Sequence, residues 1–288
     1  MQGIVSKING VSLWHLVQGQ GIPIVLLHGG PGSYDYLEPI ADLLDKNCYQ
    51  IIRYEQRGSW RSEKTGPYDI ETFIEDLEQL RIHLGLKSWV VCGHSWGASL
   101  ALAYATKYYT NVEALIYISG TGVKPAWHAD YRINRLNRMS PTDREKYIYL
   151  RSVIESMKGE EREHSKDRLR ELSLRTDLFN QDNFNKLPRV DGQFVNNEVN
   201  QKVGLECSEY FENDNFRKAI EINDFPTLFV HGEADPRPSI YIKELASHLQ
   251  NCQFALIPNA GHYPWLDNSD AFGKQINEFL SMNTTPVK

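Results

Sequence analysis

Apolar positions along the chain fall into two alternating rhythms. Ile22–Leu27 reads IPIVLL, apolar almost throughout, which is the pattern of a strand covered on both faces. Residues 70–84 carry Phe73, Leu77, Leu80 and Leu84 at helical spacing, and Gly85 follows where a helix commonly ends. At the start, 4–17 holds two short apolar runs around Asn9-Gly10, a dipeptide that favours a tight hairpin turn. Further strands are predicted at 50–54, 89–92 and 112–119, and helices at 36–44 and 98–108. From 121 to 223 the rhythm breaks into charge-rich sequence of helical character. Within it, Ser140-Pro141-Thr142-Asp143 reads as an N-cap followed by proline at the first helical position. The alternation then resumes, with strands at 226–230 and 254–257 and helices at 240–249 and 271–280.

Strands that alternate with helices imply an α/β fold, a mostly parallel sheet with helices on both faces. The core is expected to comprise 1–120 and 224–288. Residues 121–223 form a helical cap inserted after the sixth strand, over the sheet edge where ligands bind in open α/β sheets. Composition narrows the partners. The 288 residues are 41% hydrophobic, enough for a large core, and the net charge is −6 without a basic block, which argues against a nucleic-acid face. The longest aliphatic runs fall far short of the roughly 18 residues of a membrane span. The N-terminal stretch lacks the apolar region of a secretory signal. The four cysteines form no CxxC pair and fit reduced thiols in a cytoplasmic protein. The nine histidines show no metal-ligand spacing, so no metal site is expected.

The candidate chemistry lies in VVCGHSWGAS, 90–99. Gly93-His94-Ser95-Trp96-Gly97 fits G-x-S-x-G between a buried strand and a helix. A serine at the tip of so sharp a turn has its hydroxyl lifted clear of the sheet, and side chains at Gly93 or Gly97 would clash. A plain strand-to-helix loop is the simpler reading of the pentapeptide alone. A second glycine loop, His28-Gly29-Gly30-Pro31-Gly32, follows the strand Ile22–Leu27. Its Gly30 N–H, with that of Trp96, would form an oxyanion hole. A serine needs a base and the base an orienting acid, in the chain order Ser, acid, His. Past the last two strands lie His231-Gly232-Glu233-Ala234-Asp235 and Pro258-Asn259-Ala260-Gly261-His262. Asp235 is assigned as the acid, with Glu233 its rival, and His262 as the base. His28, His94 and His231 are assigned to hydrogen bonds with nearby loops.

Together with Glu55-Gln56-Arg57-Gly58-Ser59-Trp60-Arg61-Ser62, these motifs resemble the proline iminopeptidase branch of the α/β-hydrolase superfamily. The usual second motif begins with Asp and has glycine where Trp60 stands. The resemblance implies an α/β-hydrolase fold, no cofactor, and removal of N-terminal residues, often proline, from short peptides. It also implies an anion for the substrate's free amino group. Asn197-Glu198 matches one such cap segment, so Glu198 is a candidate amine ligand, with Gly29 and Trp60 as further substrate contacts. A second glutamate, which in relatives follows the triad acid, is replaced by Pro236, unless Glu206, Glu209 or Glu233 substitutes. Trp60, Trp96, Trp127 and Trp265 either line a pocket or pack between cap and core.

The leading expectation is a serine hydrolase, an aminopeptidase acting on small peptides or amides. The alternative is a carboxylesterase or lactonase acting on small acyl esters. Dehalogenase or epoxide-hydrolase chemistry normally needs aspartate in place of Ser95. A receptor that binds a small molecule without turnover is the reading from another class, and the full set of Ser, Asp, His and glycine loops argues against it.

Overall fold

The computed structural model describes residues 2–187 and 194–284. Its strands are β1 (Ile4–Ile8), β2 (Val11–Gly19), β3 (Ile22–Leu27), β4 (Tyr49–Tyr54), β5 (Trp89–His94), β6 (Val112–Ile118), β7 (Thr227–Gly232) and β8 (Cys252–Ile257). They form one eight-stranded sheet in the order β1-β2-β4-β3-β5-β6-β7-β8. Pairings β1–β2 and β2–β4 are antiparallel, and all others are parallel. Asn9 and Gly10 both take positive φ, 46° and 78°, which is what the tight turn between β1 and β2 demands.

Around the sheet run α1 (Glu38–Asp42), α2 (Ile70–His83), α3 (Trp96–Lys107), α4 (Trp127–Arg138), α5 (Pro141–Val153), α6 (Gly159–Arg175), α7 (Asn197–Glu212), α8 (Asp214–Ile222), α9 (Ile240–Ala246), α10 (Pro264–Asp267) and α11 (Ser269–Asn283). The β3 side chains alternate between two cores, as apolar strands in a covered sheet must. Val25 and Leu27 join Phe73, Leu77 and Leu100 on one face, while Ile24 and Leu26 join Ile40, Phe272 and Ile276 on the other.

Helices α4 to α8 lie between β6 and β7. Ser140 caps α5 by accepting from the Asp143 N–H, with Pro141 opening the helix. Val199, Val203 and Phe211 of α7 and Phe216 of α8 share a core cluster with Phe73 and Trp96. That apolar contact seats α7 on the sheet domain.

Element ends depart from expectation at points that matter for the site. Residues 36–44 were expected to be helical, but α1 starts at Glu38 with Pro39 in its first turn, which leaves Tyr36 in the preceding loop. The helix expected at 98–108 begins already at Trp96, because the turn is completed within the single residue Ser95. The short α10 breaks the loop after β8 and has no periodicity in sequence to announce it.

Candidate active site

Ser95 joins β5 to α3 at φ 57° and ψ −120°, a strained conformation for any residue with a side chain. Such strain costs about 1–3 kcal/mol and persists only where the surroundings hold it. Here the Ser95 N–H is pinned to the Ile118 carbonyl at 2.9 Å. The flanking glycines are steric necessities. A Cβ on Gly93 would overlap the Gly97 carbonyl, and one on Gly97 would overlap the Leu27 carbonyl.

Loops after β7 and β8 bring Asp235 and His262 to the same rim. His262 Nε2 lies 3.1 Å from Ser95 Oγ, and His262 Nδ1 lies 2.7 Å from Asp235 Oδ2. The three residues thus form one hydrogen-bonded chain. The main chain of His262 is held as well, its N–H donating to the Asp177 carbonyl at 2.6 Å. Burial alone would raise the Asp235 carboxyl. The electrostatic influence of His262, His231 and Arg237, with the hydrogen bond from His262, outweighs it and holds the group well below the ordinary carboxylate range. Arg237 donates its backbone N–H to Asp235 Oδ1 at 2.9 Å and its guanidinium to the same oxygen at 3.3 Å. It also pairs with Asp177 at 2.9 Å and bonds the Tyr131 hydroxyl at 3.1 Å. Glu233, two residues before Asp235, is exposed and takes no part.

In the glycine loop the Gly29 N–H is occupied, donating to the Tyr36 hydroxyl at 2.9 Å. Among the described residues no partner is present for the N–H of Gly30 or of Trp96, and both residues line a cavity with Ser95. The three other histidines near the rim bind loops. His28 bridges the Gly29 carbonyl and the Gln56 N–H, His231 reaches the Arg237 carbonyl, and His94 reaches the His262 carbonyl at 2.9 Å. Burial drives all three imidazoles toward the neutral form, that of His28 down to about 4. Gln56 ties the two motifs together, donating to the His28 carbonyl at 2.7 Å and accepting from the Trp96 indole at 2.9 Å. Glu55 is fully buried and pairs with Arg61 at 2.7 Å.

The cavity has a volume of about 510 Å³ and is roofed by α4 and α7. Its wall includes Trp96 and Trp127. Neither Trp60 nor Glu198 reaches it. Trp60 packs on Phe194 and Tyr34, outside the cavity. The Glu198 carboxylate points outward on the first turn of α7 and pairs with Lys202 at 2.7 Å, both side chains more than half exposed. Glu206 and Glu209 line a different groove, shared with Lys107 and Tyr210. The carboxylates considered for a substrate amine therefore all lie elsewhere.

Sequence reasoning missed Tyr36, Asp177, Arg237 and Arg135. Only Arg237 carried a signal, as a charged neighbour of Asp235. The others reach the rim through folding alone.

The residue pattern of the alpha/beta hydrolase fold matches 22–269, and the chain belongs to that family. Its similarity runs to the proline iminopeptidase branch. The proline iminopeptidase of Lactobacillus crispatus (strain ST1) is 25% identical over 273 residues, spanning 91% of this chain and 90% of that protein. The crystal structure of a proline iminopeptidase from Mycobacterium smegmatis superposes with a TM-score of 0.72 at 16% identity, covering 98% of each chain. A thermophilic esterase from Thermogutta terrifontis superposes at 0.68 with 21% identity, covering 99% of this chain and 100% of its own. At those identities the two structures speak to the fold alone.

Proposed function

We propose that this hydrolase is a cofactor-independent serine enzyme in which Ser95 is the nucleophile, His262 the general base and Asp235 its orienting acid. The observation that carries the reading is the unbroken chain from Ser95 Oγ through His262 to Asp235, at 3.1 and 2.7 Å. With Nδ1–H donating to Asp235, Nε2 is free to accept the serine proton as Oγ attacks a substrate carbonyl. The oxyanion accepts from the N–H groups of Gly30 and Trp96. His262 then returns the proton to the leaving alcohol or amine. Water, deprotonated by His262, attacks the acyl-enzyme and releases the acid. Residues 121–223 act as a cap, whose α4 and α7 shape the acyl pocket.

The cavity favours small acyl esters or lactones, since none of its described lining residues is an aspartate or glutamate. A buried substrate ammonium there would lose its hydration without an anionic partner. The second reading, an aminopeptidase for small peptides, is favoured by the similarity to proline iminopeptidases. We further take the protein to act in the cytoplasm, which the four free cysteines support. Among the described residues no helix is long and apolar enough to cross a membrane.

The test is labelling by a fluorophosphonate beside turnover of 4-nitrophenyl acetate and proline anilide. Labelling of the wild type and not of Ser95→Ala, with ester turnover, supports the serine mechanism. A folded wild type that is neither labelled nor active sinks it. Anilide cleavage that collapses on acetylating the amine would shift the substrate reading to the aminopeptidase.

A further inference from the structure

The charge lining the Ser95 cavity is one-sided. Lys124, Arg135 and Arg237 stand in its wall, and none of its described lining residues is an aspartate or glutamate. Two of these cations are already answered from outside the cavity. Lys124 pairs with Glu244, and Arg237 with Asp177 and Asp235. Arg135 on α4 is different. No carboxylate lies within salt-bridge reach of it among the described residues. Among the described residues its side chain makes one hydrogen bond, from Nη1 to the Tyr147 hydroxyl at 3.2 Å, and its buried Nε meets no partner. The guanidinium is fixed in place nonetheless, stacked on the Tyr131 ring at 4.1 Å, with Arg237 also over that ring at 4.2 Å.

A half-buried guanidinium held rigid by an aromatic face, with donors to spare and no counter-ion, is a site waiting for an anion. Arg135 shares its cavity with the nucleophilic serine. We propose that the substrate is an acyl compound bearing an anionic group, a carboxylate at the end away from the scissile bond, and that Arg135 binds it. The inference rests on the serine-hydrolase reading above and specifies its substrate class. Binding orients the acyl chain with its carbonyl toward Ser95 and its charge toward α4. An ammonium at that end meets cations instead, so the same charges that attract a dicarboxylic monoester repel an N-terminal amine.

The test compares three 4-methylumbelliferyl esters of matched chain: the adipate monoester with its free carboxylate, its methyl ester, and the 6-aminohexanoate. The wild type should favour the carboxylate over the methyl ester by at least about tenfold in kcat/KM, the effect of one hydrogen bond between charged groups. In Arg135→Gln that ratio should fall to near one, and Arg135→Lys should keep part of it. Circular dichroism and thermal melting check that the variants are folded. Equal use of all three esters by the wild type, or preference for the ammonium ester, overturns the proposal. So does a ratio unmoved in folded Arg135→Gln. Turnover of the methyl ester that is abolished by fluorophosphonate labelling of Ser95 leaves the serine mechanism standing when the charge preference fails. No turnover of any ester with no labelling rejects both.

Discussion

Tyr36 donates its phenolic proton to Nδ1 of His94 across 2.7 Å, and the two side chains form the middle of a longer relay. The Gly29 N–H donates to the Tyr36 oxygen, and His94 Nε2–H donates to the His262 carbonyl. One end of the relay is the glycine loop and the other is the main chain of the candidate base. Burial keeps His94 neutral, so it accepts at one nitrogen while donating at the other. Tyr36→Phe removes the central link and leaves a packed ring. We expect kcat on an ester substrate to fall about 10- to 100-fold, as a small misplacement of catalytic groups does, with KM little changed. Steady-state kinetics beside an unchanged circular dichroism spectrum check it.

Removing members of the Ser95, His262 and Asp235 chain should have graded effects. Ser95→Ala and His262→Ala are each expected to cost about 10⁶-fold in kcat. Asp235→Asn keeps the shape but favours the wrong imidazole tautomer, and should cost about 10⁴-fold. Single-turnover assays with melting curves for each variant measure this. Wild-type rate in either alanine variant would remove the mechanism.

Arg237 sits between two buried carboxylates, Asp235 and Asp177, the second of which belongs to the segment between β6 and β7. Arg237→Met leaves both without their guanidinium. Stability should drop by about 3 kcal/mol or more, the cost of breaking a buried ion pair from one side. Chemical denaturation gives the number. A melting curve unchanged from wild type would show that the two loops hold without this link.

Acid should weaken the fold through His28. Its imidazole is fully buried and its pKa is lowered from 6.5 to about 4. The unfolded chain therefore takes up this proton first as pH falls. The contribution is complete above about pH 6.5 and is lost progressively down to about pH 4, amounting to about 3 kcal/mol. Denaturation midpoints across this window should fall with pH, and less steeply in His28→Asn. Equal slopes in the two proteins would contradict the assignment.

The sheet was legible because covered strands advertise themselves: IPIVLL at 22–27 became β3 at those bounds. The sharp turn at Ser95 was legible from its glycines, since only a bare Cα fits beside the Gly97 and Leu27 carbonyls. The convergence of residues 95, 235 and 262 followed from strand order, because parallel strands deliver their ends to one edge. Side-chain direction was not legible. Glu198 lies in a segment that resembles an amine-binding stretch, yet helical phase on α7 turns it toward Lys202 and the solvent. Trp60 is drawn aside by Phe194 and Tyr34. Arg135 sits in a mixed-charge helix where no local pattern marks it, and only the packing of α4 over the Ser95 cavity sets it apart from the carboxylates of the described residues.

Asn200 on α7 donates to the Gly30 carbonyl at 2.8 Å, and the Asn196 N–H donates to the Gly32 carbonyl at 2.8 Å. The roof of the cavity is therefore stitched to Gly30, whose N–H is the proposed oxyanion donor. Swinging α7 outward to admit a bulky guest would tug Gly30 out of register. Bulk is thus penalised twice, once by lack of room and once by slackened chemistry, so this protein should discriminate by size more sharply in turnover than in binding.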